Sequence, residues 1–381
     1  MLTVETIEDL ERLESLSGEW DRLAAAVFPR LPFTSPLWAL GWWRSFRRNG
    51  LLARDRLHAY ALRDIDGTLV ALAPMFVTSR PGFGPALTRE LQFFGADPYV
   101  TEWRGLVCLP DRAEEAIGVL AAHIEKERPA DFVQWRGLPA GAEKRALDRD
   151  FRPQANLDVT VFYVDLPESW DAFRAALPRN VKESLRKCYN SLAREKHDFT
   201  LRVISSPDEA PGALDEFFRL HAMRADAQDT ILHPDVFGDA ARRGFLRAYC
   251  EAMARQDGLR IFQLVISGQV VATRIGFLLG DELYMYFSGY DLGWSRFSVM
   301  TTTVAEAIKW AIGQKVRVFN LSTGNDVSKT RWRPQIVDFV GGYSVGTGRA
   351  SLAFSTMNAI RLRRSKVRRS VALTPSAPQG I

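Results

Sequence analysis

Asn320, Ser322, Asp326 and Lys329 crowd together where a run of β-forming residues, Val316–Leu321, gives way to Ser-Thr-Gly-Asn-Asp. An amide, a hydroxyl, a carboxylate and an ammonium at a strand end could take the proton of an attacking amine and hold the groups that react. The same residue types also build plain turns by bonding their own backbone. Ligands collect beyond the carboxyl ends of strands in open α/β sheets, which favours the chemical reading. Upstream, the aromatic strand Leu283–Ser288 runs through a polar loop into a hydroxyl-rich helix start, with the helix expected over Ser298–Ile312. That order sets unpaired N–H groups and a positive dipole end beside a strand end. Such a place suits acyl transfer from a phosphate-bearing carrier.

The loop before the helix supplies candidate donor contacts: Arg296, Phe297, Ser298, Val299, Met300 and Thr301. Arg296 can pair bidentately with a phosphate, and Ser298 and Thr301 add hydroxyls. Ser298 equally reads as the helix N-cap, and a loop arginine is often just solvated. Tyr284 and Tyr286 share one strand face and are either core filler or aromatic contacts to a substrate. His221 lies at helical spacing from Leu214 and Phe218, which turns it toward the packed face, where a lone histidine is usually structural. His233 follows in a loop before Pro234. No His, Cys or carboxylate set has metal-ligand spacing, so no metal is expected. Cys108, Cys188 and Cys250 form no Cys-x-x-Cys and none sits where a nucleophile belongs, so direct transfer is expected.

The elements that must hold these residues follow one plan twice. A strand, a turn (Asp64–Gly67; Ser267–Gln269) and a returning strand make a hairpin in each half, Leu57–Val77 and Leu259–Leu279. Each hairpin is followed by a strand (Glu90–Phe94; Leu283–Ser288), a helix (Arg112–Glu127; Ser298–Ile312) and a strand (Asp131–Arg136; Val316–Leu321), and preceded by helical sequence (Pro36–Arg48; Val181–Glu195 and Gly212–Ala227). Two copies of one order imply two mixed α/β lobes. The polar segment Gly141–Pro153 is the expected boundary, giving an N-terminal lobe over 1–150, a catalytic lobe over 155–350 and a basic tail over 351–381. The first lobe is expected to be a non-catalytic copy, because Gln134-Trp135-Arg136-Gly137-Leu138 lacks the polar cluster of the second.

A chain of 381 residues with 46% hydrophobic and 25% charged content is an ordinary globular composition. The formal net charge is +5, and setting aside six tail cations, Arg361, Arg363, Arg364, Lys366, Arg368 and Arg369, leaves the body at −1. DNA binding is therefore not expected. The tail is either a solvated helix end that frays or a contact for anionic lipid. The helix Val181–Glu195 carries Lys182, Arg186, Lys187 and Arg194 on one face, either solvated or turned to an acidic substrate. An acidic N-terminus without a signal pattern, scattered cysteines and no apolar run of membrane-spanning length make the cytoplasm the expected location.

Leu177-Pro178-Arg179-Asn180 before the basic helix, Tyr284–Ser288 leading to Gly289-Tyr290-Asp291, and Gly324-Asn325-Asp326-Val327-Ser328-Lys329 with Trp332 resemble a known family. It is the acetyltransferase family of cellulose and exopolysaccharide biosynthesis clusters, a branch of the GNAT superfamily. Leu91-Gln92-Phe93-Phe94-Gly95 is similar to its N-terminal lobe, and the likeness spans roughly residues 20 to 340. The resemblance implies two GNAT-like lobes of mixed, mostly antiparallel sheet flanked by helices. It also implies acetyl-CoA or another acyl-CoA as donor and an amine, often on a sugar, as acceptor. Leu220-His221-Ala222-Met223-Arg224 resembles the family's equivalent helix, which brings His221 forward as a catalytic and Arg224 as a substrate-binding candidate beside Asp326, Asn320, Ser322 and Lys329. One departure stands out: aligned on Arg296, the family's Gln/Arg-x-x-Gly-x-Gly/Ala loop has Val299 and Thr301 at its small-residue positions. Enzymes resembling the FemAB peptidoglycan transferases share the doubled lobe with aminoacyl-tRNA as donor, the runner-up reading. A non-catalytic binding protein of a polysaccharide assembly is the third.

Overall fold

Turn chemistry fixes the hairpins. Ser267 and Gly268 both have positive φ, 51° and 79°, so Ile266 and Gln269 close a two-residue turn of the kind that matches strand twist. In the first half, Gly67 at φ 84° turns the chain while the Asp66 carboxylate accepts from Thr68 N at 2.9 Å. The computed structural model describes residues 2–97, 99–142, 147, 151–225, 234–345 and 354. His233 and the basic tail, apart from Phe354, lie outside the described residues, as does most of the expected boundary segment.

The strands in chain order are β1 (Thr3–Ile7), β2 (Arg54–Leu57), β3 (Ala59–Arg63), β4 (Leu69–Ala73), β5 (Met75–Arg80), β6 (Thr88–Phe93), β7 (Val107–Cys108), β8 (Phe132–Pro139), β9 (Phe151–Pro153), β10 (Val159–Asp165), β11 (Phe199–Ile204), β12 (Leu259–Ile266), β13 (Gln269–Leu279), β14 (Glu282–Tyr290), β15 (Val318–Thr323) and β16 (Gln335–Val345). The helices are α1 (Leu10–Ser15), α2 (Ser17–Ala26), α3 (Pro36–Phe46), α4 (Ala113–Glu127), α5 (Trp170–Ala176), α6 (Arg179–Arg194), α7 (Ala210–Ala225), α8 (Ala240–Arg255), α9 (Val299–Gly313) and α10 (Val327–Thr330).

In the second lobe β11, β12, β13 and β14 run antiparallel, and β15 joins β14 in parallel. In the first lobe β1 pairs the β2–β3 strand, which pairs the β4–β5 strand, then β6, and β8 joins β6 in parallel. The two parallel ladders match residue for residue. Glu282, Leu283 and Tyr284 face Val318, Phe319 and Asn320, as Glu90, Leu91 and Gln92 face Phe132, Val133 and Gln134. The outer neighbours match as well, Tyr163 opposite Asn320 and Tyr343 opposite Gln134. The chain is thus an α/β protein of two lobes related by internal duplication.

The lobes also exchange their last strands. β10, reached from the first lobe, pairs with β15 of the second; β16, reached from the second, pairs with β8 of the first; and β10 pairs with β16 between them. One sheet therefore runs from β11 to β2 through both lobes. Its two faces are covered by helices, and an aromatic core crosses the interface. Trp38 of α3 sits 4.9 Å from Phe245 and 4.7 Å from Tyr249 of α8, and 5.8 Å from Tyr286 of β14, ring centre to ring centre. Trp38, Trp42 and Trp43 are all core.

Candidate active site

The β14–β15 ladder ends at Tyr284 and Asn320, yet β14 continues to Tyr290 and β15 to Thr323, so the strands splay into a cleft. Asn320 is fully buried at its apex. Its Oδ1 accepts from Ser322 N at 2.9 Å, which holds Ser322 in a left-handed turn at φ 71° and leaves the buried Asn320 Nδ2 without a partner. Arg274, buried on the neighbouring β13, has an unpaired Nε. Burial pushes its pKa down to about 10, against the pull of Glu102. A buried donor with no acceptor is costly, and such groups mark places where a ligand supplies the partner.

Glu102 comes from the other lobe. The segment 99–105 after β6 lies along the second lobe like a strap: Tyr286 donates to Val100 O, and Tyr284 donates to Glu102 Oε2. Burial pushes the Glu102 carboxyl above the usual carboxylate range, while Tyr284, Lys329, Arg274 and Ser322 pull it back. Burial and the Glu102 charge hold the Tyr284 hydroxyl far above its ordinary value, so it stays a neutral donor. A carboxyl with a raised pKa next to unpaired Arg274 and Asn320 donors is a base facing a set of oxyanion donors.

The other expected residues gather nearby with different duties. Asp326 N-caps the short helix α10, accepting from Ser328 N at 2.9 Å and pairing with Lys329 at 3.1 Å. Burial would raise its carboxyl, but the Ser328 and Lys329 bonds outweigh that and hold it below the ordinary value, which makes it a weaker base than Glu102. Lys329 Nζ also donates to Thr323 O and Gly324 O, closing the turn. His221 Nδ1 lies 3.1 Å from Ser288 O; a carbonyl only accepts, so the proton sits on Nδ1 and the buried Nε2 keeps its lone pair. Burial depresses its pKa, and Phe217, Phe237 and Phe287 surround it. Arg224 donates to Ser288 Oγ at 3.1 Å. Both residues thus grip β14 from α7, where a side chain on Gly289 would stand 2.4 Å from His221 N. Tyr286 is sealed among Phe33, Trp38, Phe277 and Phe287, so it packs the interface and is not a surface for a sugar.

The donor loop departs from expectation. Ser298 has φ 54° and makes no side-chain cap; its carbonyl instead receives Thr301 N at 2.8 Å and Thr302 N at 3.2 Å. Phe297 and Val299 are buried with Leu264, Ile266, Val271 and Ala272, and Met300 packs against the same cluster, so these three side chains serve the core. Arg296 is exposed and pairs with Glu195 at 2.8 Å. Arg331 takes its place at the helix start, donating to Thr301 Oγ1 at 2.6 Å with a buried, unpaired Nε. Beside it a cavity of about 300 Å³ opens between α6 and α10, lined by Asn180, Ser184, Thr330 and Arg331.

Glu102, Arg274 and Arg331 are the residues that sequence reasoning passed over. Arg274 left a signal, the one charge within the otherwise uncharged core run Val271–Phe277. Glu102 left none, because only the strap's path between lobes brings it to the cleft.

The family described as Acetyltransferase (GNAT) domain matches residues 179–331. Among curated proteins none matches the chain in sequence. The solved structure of FemX is similar in fold, with a TM-score of 0.57 at 9% identity, covering 88% of this chain and 96% of that one. L-PGS from Bacillus licheniformis aligns at TM-score 0.49 and 14% identity over 93% of this chain and 97% of its own. A tandem GNAT protein from the clavulanic acid biosynthesis pathway aligns at 0.45 and 11% over 91% and 100%. Residues 179–331 span the cleft of β14 and β15, its flanking helices α7 and α9, and the Asp326 turn, so the stretch that matches the GNAT acetyltransferase family is the one that builds the cleft, which supports an N-acyltransferase enzyme.

Proposed function

We propose that the β14–β15 cleft transfers an acyl group directly from an acyl-CoA, acetyl-CoA in the simplest case, to a small-molecule amine such as an amino sugar in polysaccharide biosynthesis. The observation that carries this reading is the Glu102 carboxyl lying in one cleft with the unpaired donors of Arg274 and Asn320. An amine is mostly protonated at neutral pH, so Glu102 first takes that proton, the neutral nitrogen attacks the thioester carbonyl, and the nitrogen's second proton passes to the departing thiolate. Arg274 and Asn320 Nδ2 donate to the oxyanion that forms, and the thiolate leaves as the tetrahedral species collapses. Ser322, Asp326 and Lys329 stand at the cleft mouth, where they orient the acceptor, while His221 and Arg224 fix β14 through Ser288. Cys188, the cysteine next to this region, is buried with its thiol pushed up by burial, consistent with transfer without an acyl-enzyme.

At the donor end, Arg331 and Thr301 fit a phosphate group through the unpaired Nε and the helix start, and they replace Arg296 in that role. The test is acyl transfer from acetyl-CoA across a panel of amines, read as released thiol, together with a rise in melting temperature on adding acetyl-CoA. Absence of both would overturn the donor. One observation favours a second donor, aminoacyl-tRNA: α6, which presents the exposed cations Arg186, Lys187 and Arg194, lies against the start of α9. Stabilisation by aminoacyl-tRNA in place of acetyl-CoA would select it.

A further inference from the structure

The first lobe repeats the splay. The β6–β8 ladder ends at Gln92 and Gln134, and β8 continues to Pro139. The strap that sends Glu102 into the second cleft sends Arg104 into this one, where its Nη2 donates to Gln134 Oε1 at 2.7 Å. Arg136 lies two residues along β8 from Gln134, on the same face. The strap and β8 touch backbone to backbone. A side chain on Gly105 would stand 2.7 Å from Arg136 O, and one on Gly137 would stand 2.6 Å from Arg104 O, so only glycine permits the approach that brings the two arginines together.

We propose that the β6–β8 cleft binds a small oxyanion, a phosphate or carboxylate group, between Arg104 and Arg136. Arg104 Nη1 and Arg136 Nε are both buried and unpaired, and among the described residues neither arginine has an ion-pair partner. The nearby carboxylates are engaged elsewhere, Asp158, whose charge reaches Arg136, accepting from Gly341 N at 3.0 Å. Glu90 pairs with Arg80 at 3.0 Å, and Asp97 accepts from Trp42 Nε1 at 2.6 Å and from Val100 N at 2.6 Å. Two guanidinium groups held together away from bulk water are unfavourable unless an anion joins them, and their planar forks match an oxyanion bidentately. The second cleft contrasts: there Arg274 already faces the Glu102 carboxylate. Burial, with Arg136 adding to it, pushes Arg104 down to about 9, the direction expected of a cation awaiting a counter-charge.

Inorganic phosphate and acetate are titrated into the full-length protein at fixed ionic strength, with melting temperature and calorimetric heat as readouts and no acyl-CoA present. The wild type is expected to bind at least one of the two saturably below about 10 mM, and whichever arm responds identifies the oxyanion. Arg136→Gln weakens that binding at least tenfold. Arg104→Lys, which keeps the charge but loses the fork, weakens it too and serves if the glutamine variant does not fold. Phosphate also fits the donor site, so Arg331→Gln in the second lobe removes that component and leaves the first-lobe binding in place, which separates the two sites. Failure of the wild type to bind either anion, or equal binding by both first-lobe variants, overturns the proposal without touching the transferase reading.

Discussion

Glu102→Gln should lower activity and raise stability together. The amide keeps an oxygen for the Tyr284 hydroxyl and the volume of the acid, but it cannot accept the acceptor's proton. Losing a general base costs ~10²–10⁴-fold in kcat, equivalent to roughly 2.7–5.4 kcal/mol of barrier. Folding should respond in the opposite direction. The Glu102 carboxyl has a folded pKa above its ordinary value near 4.5, so the folded state holds the proton more tightly than the unfolded chain. That preference stabilises fully below pH 4.5 and is lost as pH rises through the raised folded value. Glutamine never ionises and escapes the loss, at about 1.36 kcal/mol for each unit of displacement. Variant and wild type should therefore melt alike near pH 4, and the variant should melt higher at pH 8. Its turnover deficit should shrink at alkaline pH, where the free amine is already neutral. The assay is thiol release from acetyl-CoA against pH, paired with calorimetric melting in the same buffers. Turnover within threefold of wild type at pH 7, or a melting temperature that falls at pH 8, would refute the base assignment.

Three further outcomes follow from the same geometry. Arg331→Ala should raise the KM for the donor with kcat nearly kept, as loss of ground-state binding does, whereas Arg296→Ala, which breaks an exposed pair with Glu195, should change stability by less than ~1 kcal/mol and leave KM alone; steady-state kinetics with varied donor distinguish them. Asp326→Asn should preserve the cap of α10 and lose less activity than Glu102→Gln, while Asp326→Ala should cost about 0.5–2 kcal/mol in melting experiments. Gly289→Ala sets a methyl 2.4 Å from the His221 backbone and should destabilise by ~1–3 kcal/mol while displacing Ser288 and lowering kcat; unchanged melting would show that α7 yields easily.

Much of the architecture was legible because each lobe announces itself locally. The hairpin at Ser267-Gly268, the helix that ends near Gly313 and the repeated element order all rest on short-range patterns, and their observed bounds differ by a few residues at most. β1, β10 and β16 went unread because their partners lie far along the chain, and Thr3–Ile7 alternates too weakly to declare a strand alone. The Asn320–Lys329 cluster stood out by composition. Its division of labour did not, since the cap bonds that lower the Asp326 pKa and the distant carboxyl of Glu102 depend on tertiary placement. The first lobe looked empty because Arg136 had no visible companion until the strap brought Arg104 beside it.

The strand exchange bears on how the protein is born. During synthesis the first lobe emerges early, but β8 stays an open edge until Gln335–Val345 arrives some two hundred residues later. An exposed edge of this kind invites pairing with another chain, and long sequence separation slows its proper closure. Nascent chains stalled before residue 335 should therefore hold an N-terminal half that is collapsed yet protease-sensitive, and completion of β16 should lock both halves in one cooperative step.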